Sequence, residues 1–593
     1  MRKIICKKGK INKLVSLLLI IVLTVTMLTG CEQNQSKAKV QKSFDKYTET
    51  LFKDALIEDA LSVNFLITEP ENYGLENATV DLSFGTKEEY EEDYKEAQEE
   101  LDYIKKTFSY EKLSKEQQLT YDVLVDSFNR TLAFKDFYYY STPLGSYLGT
   151  NANLPIELSE LRFDTEKDIE NYLEVLTKTK GYFESLIEFQ NEKLENGTLE
   201  PDFVLEGIIE QCENYINSTE ENFLIPIMND KIDATSFLDE AKKAEYKEKN
   251  EKLINDDFIG AYQYLSDEVA KLVGKGENQK SIFYLPNGKE YYEAIFARNT
   301  GTDVTVKEAK KNLEKYQDQL IEELTGIVQA NASVVTDVST LQMTNKDIED
   351  IVKDFSQLIK TDFPEIPTTN FEIKNVHESL QENMSPAMYF ISPLDSNDTT
   401  ERITINPLRI DNKNYMFTTL AHEGYPGHLY QHVYTKNTDI PEIRHILSYN
   451  GYADGWATYV ETFVMKYAEG NEDVLAYNDS FDNLVNATLC IADIGINYEG
   501  WDVSQLSTYF AQYFSGVDAQ AVYEQLVEVP SNQAQYTYGF YEIQKLREKA
   551  EDELGDKFTD VAFHKAILDP GPAPFSIISK SVETYITSEK DKK

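Results

Sequence analysis

Three of the chain's six histidines, His422, His428 and His432, fall within eleven residues, in the stretch Ala421-His422-Glu423-Gly424-Tyr425-Pro426-Gly427-His428-Leu429-Tyr430-Gln431-His432. A residue this scarce, gathered beside a carboxylate, reads as a transition-metal site, because neutral imidazole is the commonest nitrogen ligand for zinc. Zinc peptidases commonly set two histidines four apart on a helix, with a glutamate after the first, so that both rings share one face. Here His422 and His428 are six apart. On an unbroken helix that spacing would turn them about 240° from one another. Pro426 offers a way out: its ring clashes with the carbonyl of His422, and Gly427 tolerates the backbone angles that follow. His428 and His432, four apart, form a competing metal pair; otherwise His432 packs or hydrogen-bonds locally.

Downstream, Asp454-Gly455-Trp456-Ala457-Thr458-Tyr459-Val460-Glu461 carries two carboxylates seven residues apart, two turns along one helical face. Taken with the histidine segment, it resembles the bacterial domain-of-unknown-function family 885, whose pattern reads HExxPGH and then EGWAxYxE. Further matching falls at Tyr536-Thr537-Tyr538-Gly539, Leu546-Arg547 and Phe563-His564, so the resemblance runs across most of the mature chain. That family is in turn distantly similar to the helical gluzincins, the group of thimet oligopeptidase and angiotensin-converting enzyme, in which a downstream glutamate supplies the third zinc ligand.

The resemblance implies a mainly helical fold, single-lobed or bilobed, with a deep central cleft and a small β-sheet near the active site. Position by position, it makes His422 and His428 the nitrogen ligands of one Zn2+ per chain, Asp454 the third ligand and Glu423 the general base. The family has glutamate where this chain has Asp454, one methylene shorter, so coordination requires the helix to move closer. Glu461 either orients a liganding imidazole or replaces Asp454 as ligand. Tyr536 matches the tyrosine segment of the gluzincins and is the candidate oxyanion donor, with Tyr538 behind it. Among 39 tyrosines, core packing is the competing role for either. Arg547 reads as a partner for a substrate carboxylate or as a structural ion pair, and His564 as a hydrogen-bonded fold residue.

The activity implied is zinc-dependent hydrolysis of oligopeptides, with Glu423 taking a proton from water. The alternative is a catalytically inactive surface lipoprotein that binds peptides without cutting them.

Around these residues, the elements that must position them read as helical. Between Phe44 and Phe108, and again between Glu166 and Leu272, apolar and aromatic residues recur at helical spacing; Tyr90, Tyr94, Ala97, Leu101 and Ile104 mark one such face. A turn at Leu285-Pro286-Asn287-Gly288 interrupts the pattern, and a further helical series runs from Val306 to Leu324 after Thr302. These breaks divide the chain into an N-terminal helical scaffold half, 41–300, and a catalytic half, 301–593. Just before the histidines, Met388–Ile391 and Arg402–Ile405 are short β-branched runs expected to form a two-stranded hairpin. An exposed strand there would take an extended peptide along its edge, or simply pack.

Residues 1–30 form a targeting segment: Lys3, Lys7, Lys8, Lys10 and Lys13 precede an apolar run from Leu14 to Leu28. Leu28-Thr29-Gly30-Cys31 resembles the lipobox of bacterial lipoproteins, which implies cleavage before Cys31 and acylation of that cysteine, palmitate included. Lipid would then anchor the chain at the outer face of the cytoplasmic membrane without a spanning helix, with 31–40 as a flexible tether. Cys212 and Cys490 are the cysteines left once Cys6 and Cys31 are set aside, so no disulfide framework supports the fold. The 593 residues carry 103 acidic against 58 basic side chains, a net charge of −45. That balance excludes nucleic acid and anionic headgroups as partners of the surface.

Overall fold

A computed structural model describes residues 36–592, apart from 217–221, 379–380, 382–383 and 411. The targeting segment and Cys31 lie outside the described residues. Residues 37–40 of the stretch expected as a tether are helical: a helix begins at Lys37, where the Ser36 hydroxyl caps it by accepting from Lys39 N. Among the described residues no helix is long and apolar enough to cross a membrane.

The fold is mainly helical with one small sheet. The expected face on Lys87–Thr107 is used as its spacing requires, with Tyr94, Leu101 and Ile104 buried; Thr86 and Glu89 close its start as a capping box. Next along the chain come α1 (Glu166–Glu195) and α2 (Asp202–Ile216). The turn at Asn287, whose φ is +55°, opens α3 (Gly288–Thr300). The expected series from Val306 is α4 (Val306–Ala330), capped by Thr305, whose side chain accepts from Glu308 N. Among the described residues a large apolar core runs from Val40 to Ile586 and joins side chains from both ends of the chain, with smaller clusters beside it. Cys212 and Cys490 are buried in it or beside it as free thiols.

The expected hairpin is present but incomplete as an account of the sheet. Strand β1 (Asn370–Asn375) pairs in parallel with β3 (Thr400–Ile405), which pairs antiparallel with β2 (Ala387–Phe390), giving the order β1-β3-β2. β1 alternates Phe371 and Ile373 with charged residues, and it is only half-buried. It therefore shows none of the apolar continuity that marked its neighbours. β2 forms the edge that faces the histidine segment.

Candidate metal centre

The segment that carries the histidines is two short helices separated by a tight turn. In α5 (Lys413–Glu423) the Asn412 side chain caps the start by accepting from Asn414 N and Tyr415 N, both at 3.1 Å, and Phe417, Leu420 and Ala421 anchor the inner face. The helix ends at Glu423, and α6 (His428–Lys436) begins a turn later. Between them Gly427 N donates to Ala421 O at 2.9 Å, and a Cβ on Gly427 would lie 1.8 Å from the carbonyl oxygen of His422. Only glycine permits so close a return of the backbone. Trp456, fully buried, donates its indole N–H to Pro426 O at 2.9 Å and pins the turn from the opposite side.

The turn brings together what the spacing of six set apart. The rings of His422 and His428 are 4.8 Å apart, edge to face. Ligand-capable atoms of His422, Glu423 and His428 all lie within 4.8 Å of one another.

The acidic partners arrive on α7 (Asn450–Phe463). Asp454 Oδ1 is 3.5 Å from His428 Nε2, although Asp454 stands outside the tight trio. Two ligands on one tetrahedral zinc, each at about 2.0–2.2 Å, are separated by about 3.3–3.5 Å. The Asp454 to His428 separation fits that edge. Glu461 Oε1 meets the other nitrogen of His422, Nδ1, at 2.6 Å. That contact leaves Nε2 of His422 for a metal. The donor set of two imidazoles with adjacent carboxylates is one zinc accepts.

Electrostatics favour a cation here. Burial, the largest influence on His422, lowers its basicity, but the hydrogen bond and charge of Glu461, with the charges of Glu423 and Asp454, outweigh it and lift the pKa to about 9. Nearby, on α8 (Glu472–Ile494), burial raises Asp479 to about 7, with Asp482, Glu323 and Glu461 adding to the rise. The imidazole that holds its proton against burial reports the negative charge around it, whereas the rise of Asp479 reports burial first and its acidic neighbours second.

Glu423 is tethered from the sheet: its Oε2 accepts from Tyr389 N on β2 at 2.9 Å. Nothing in the sequence pointed to that contact. A second feature missed at sequence level is the approach of α7 to α9 (Asn532–Leu554). A Cβ on Gly455 would lie 2.4 Å from Gly539 C, and one on Gly539 would lie 2.2 Å from Gly451 O. The helices meet backbone to backbone, and glycines in both matched motifs were the available signal. This packing sets the Tyr536 ring 6.3 Å from that of His422.

The remaining candidates stand away from the cluster. His432 turns its Nε2 to Ser392 O at 3.0 Å, and burial depresses its pKa to about 3. Tyr538 is fully buried and accepts from Asn312 Nδ2 at 3.1 Å. Arg547 binds Tyr459 OH at 2.8 Å and Asp560 at 2.6 Å. His564 bonds Tyr459 OH at 2.8 Å and Asp362 O at 2.7 Å while stacking on Phe363.

No curated protein matches the chain significantly. Among solved structures, a candidate lipoprotein from Colwellia psychrerythraea superposes with a TM-score of 0.79 at 19% identity, over 93% of this chain and 100% of that one. A candidate lipoprotein of unknown function from Shewanella oneidensis gives 0.61 at 15% identity, over 92% and 99%. At such identities the likeness establishes the fold. The profile of the family described as bacterial protein of unknown function, DUF885, matches residues 72–582, and the chain therefore belongs to the DUF885 family.

Proposed function

We propose that the chain is a lipid-anchored, zinc-dependent peptidase acting on oligopeptides outside the cytoplasmic membrane. One observation carries the reading: His422 and His428 converge to 4.8 Å, with Asp454 at the tetrahedral edge of one and Glu461 on the far nitrogen of the other. His422, His428 and Asp454 would hold the metal. Bound there, zinc supplies Lewis acidity toward a carbonyl oxygen and toward water. Glu423, held by Tyr389 N, takes the proton of the attacking water and passes it to the leaving amine. Tyr536 would donate to the carbonyl oxygen of the substrate as it becomes the oxyanion.

Two features favour a peptide as substrate. β2 is an edge strand beside Glu423, so an extended chain laid along it would bring its backbone to the base. A cavity of 870 Å3 opens at the start of α5, lined by Asn412, Asn414, Tyr415, Thr418, Asn478 and Asp482 among others. With Val338, Leu341 and Met343 the wall is mixed, suited to both the amide groups and the apolar side chains of a peptide. The anchor rests on Cys31 and its preceding apolar run.

The rival reading, a metal-free lipoprotein that binds peptides without cutting them, has on its side the place of Asp454 outside the trio. Metal analysis of protein purified without chelators separates the two, since about one zinc per chain is expected of the peptidase and none of the binder. Glu423→Gln is then expected to retain metal while hydrolysis of a peptide mixture falls by about 10²–10⁴. Unchanged turnover would remove Glu423 from the mechanism.

A further inference from the structure

His432, which the metal site leaves unused, stands at one end of a chain of hydrogen bonds that leads back to Glu423. A carbonyl oxygen can only accept, so His432 Nε2–H donates to Ser392 O, at 3.0 Å; Ser392 Oγ lies 3.3 Å from the same nitrogen. Lys436, one turn further along α6, donates its Nζ to Ser392 Oγ at 3.3 Å. Ser392 Oγ in turn donates to Glu401 Oε1 at 2.9 Å, and Tyr389 OH donates to Glu401 Oε2 at 2.6 Å. Tyr389 closes the chain, because its backbone N–H is the group that holds Glu423 Oε2.

Three elements meet in this chain. Tyr389 is on β2, Glu401 on β3, and His432 and Lys436 on α6, whose first residue is His428. Tyr389 faces Ile403 across the ladder, so its hydroxyl reaches the diagonal neighbour, Glu401. Among the described residues β2 has four members and pairs with β3 alone. A short strand bonded on one side opens readily, and side-chain anchors hold it against a neighbouring helix. Glu401 is 3% exposed, and a buried carboxylate is costly unless donors meet its oxygens. Both oxygens are met here, so the links stand or fall together. Burial lowers the His432 pKa to about 3, and the neutral ring carries its one proton on Nε2.

We propose that Glu401 is a positioning residue: with Tyr389, Ser392 and His432 it locks β2 against α6, and so fixes the backbone N–H that holds Glu423 beside the metal site. The inference rests on the reading of Glu423 as general base. His432 and Lys436 grip the residue chain just past β2, Glu401 carries that grip along β3 to the Tyr389 hydroxyl, and Tyr389 N sets where the Glu423 carboxylate lies. The third histidine of the segment thus acts without a metal. The chain reaches the chemistry through Tyr389 N, by geometry, and a misplacement of about 1 Å costs a catalytic group up to about 10²-fold in rate.

Tyr389→Phe removes the hydroxyl link but keeps the ring and the strand, and Glu401→Gln breaks the chain one step further from Glu423. Both are read by hydrogen–deuterium exchange across 386–392, by turnover of a peptide mixture and by zinc content. Exchange across β2 is expected to rise and turnover to fall about ten- to a hundredfold, with zinc content unchanged. The control is Tyr246→Phe, which removes a hydroxyl that donates to Glu166 at 2.6 Å from a residue equally buried at 3%. Its turnover should stay within about twofold of the parent's. Unchanged exchange in Tyr389→Phe overturns the proposal, and so does raised exchange with unchanged turnover. A fall in turnover without raised exchange makes Tyr389 a substrate contact and overturns it too. Tyr389→Phe decides alone where Glu401→Gln does not fold. Exchange needs no turnover, so a parent chain inactive on peptides refutes the role of Glu423 while the exchange still decides whether Glu401 holds β2.

Discussion

His422 Nδ1 and Glu461 Oε1 lie 2.6 Å apart, across 39 residues of sequence. The contact fixes which nitrogen of the ring remains for a metal, and it makes the imidazole a stronger base. Replacing Glu461 by Gln keeps the shape but removes the charge. Metal affinity is expected to fall about ten- to a hundredfold, measured by competition with a chromophoric chelator, while the helical circular-dichroism signal stays unchanged. An unaltered affinity would show that Glu461 does not orient a ligand.

Gly455 and Gly539 let α7 and α9 touch, and through that touch α9 brings Tyr536 near His422. Gly539→Ala would set a Cβ 2.2 Å from Gly451 O, against backbone that cannot rotate away. Destabilisation of about 3 kcal/mol or more is expected, at or beyond the usual range for overpacking. Gly181→Ala is the control: the residue lies inside α1 with nothing within 4 Å of the new methyl. That change should stabilise by about 0.5–1 kcal/mol. Urea titration of both variants decides the matter, and a Gly539→Ala protein as stable as the parent would refute the backbone contact.

These glycines also mark the limit of what could be read from the chain. Local chemistry was legible: the apolar spacing of Tyr94, Leu101 and Ile104 became a buried helical face, and the Pro426-Gly427 pair became the turn between α5 and α6. Contacts between distant segments were not. Glu423 meets Tyr389 N, and Trp456 meets Pro426 O, because two helices and a strand are packed around one point. No periodicity encodes such a meeting. β1 was missed for a related reason: its partner, β3, lies 30 residues on, and pairing rather than its own half-exposed residues makes it a strand. Asp454 and Glu461 share a helical face as their spacing requires, yet they meet different imidazoles because of where α5 and α6 put the two rings.

Asp493 gives the fold a pH dependence of its own. It is fully buried and accepts from Tyr292 OH at 2.6 Å, Asn497 Nδ2 at 2.8 Å and Ser531 N at 3.0 Å, holding the residue that precedes α9. Burial outweighs these hydrogen bonds and raises its pKa from 3.8 to about 6. A raised folded pKa means the native state binds the proton more tightly than the unfolded chain. The stabilisation is therefore full below about pH 4 and is lost as pH rises through 6, for about 3 kcal/mol in all. Asp493→Asn has no proton to lose. Its stability should decline less than the parent's between pH 4 and 6.5 in chemical denaturation, and parallel curves would exclude Asp493 as the source.

Tyr536 and Tyr538 sit two residues apart on α9 and face different surroundings. Tyr536 is near His422, whereas Tyr538 is fully buried against Phe296, its hydroxyl accepting from Asn312. A phenol that donates to the oxyanion matters only as negative charge develops, so its loss should appear in kcat and not in metal content or folding. Tyr536→Phe is expected to lower kcat about 10²- to 10³-fold with zinc retained. Tyr538→Phe should leave kcat within about twofold and cost about 1 kcal/mol of stability through the lost hydrogen bond. If instead both variants lose stability and neither loses turnover, Tyr536 is a packing residue and the oxyanion donor lies elsewhere in the cluster.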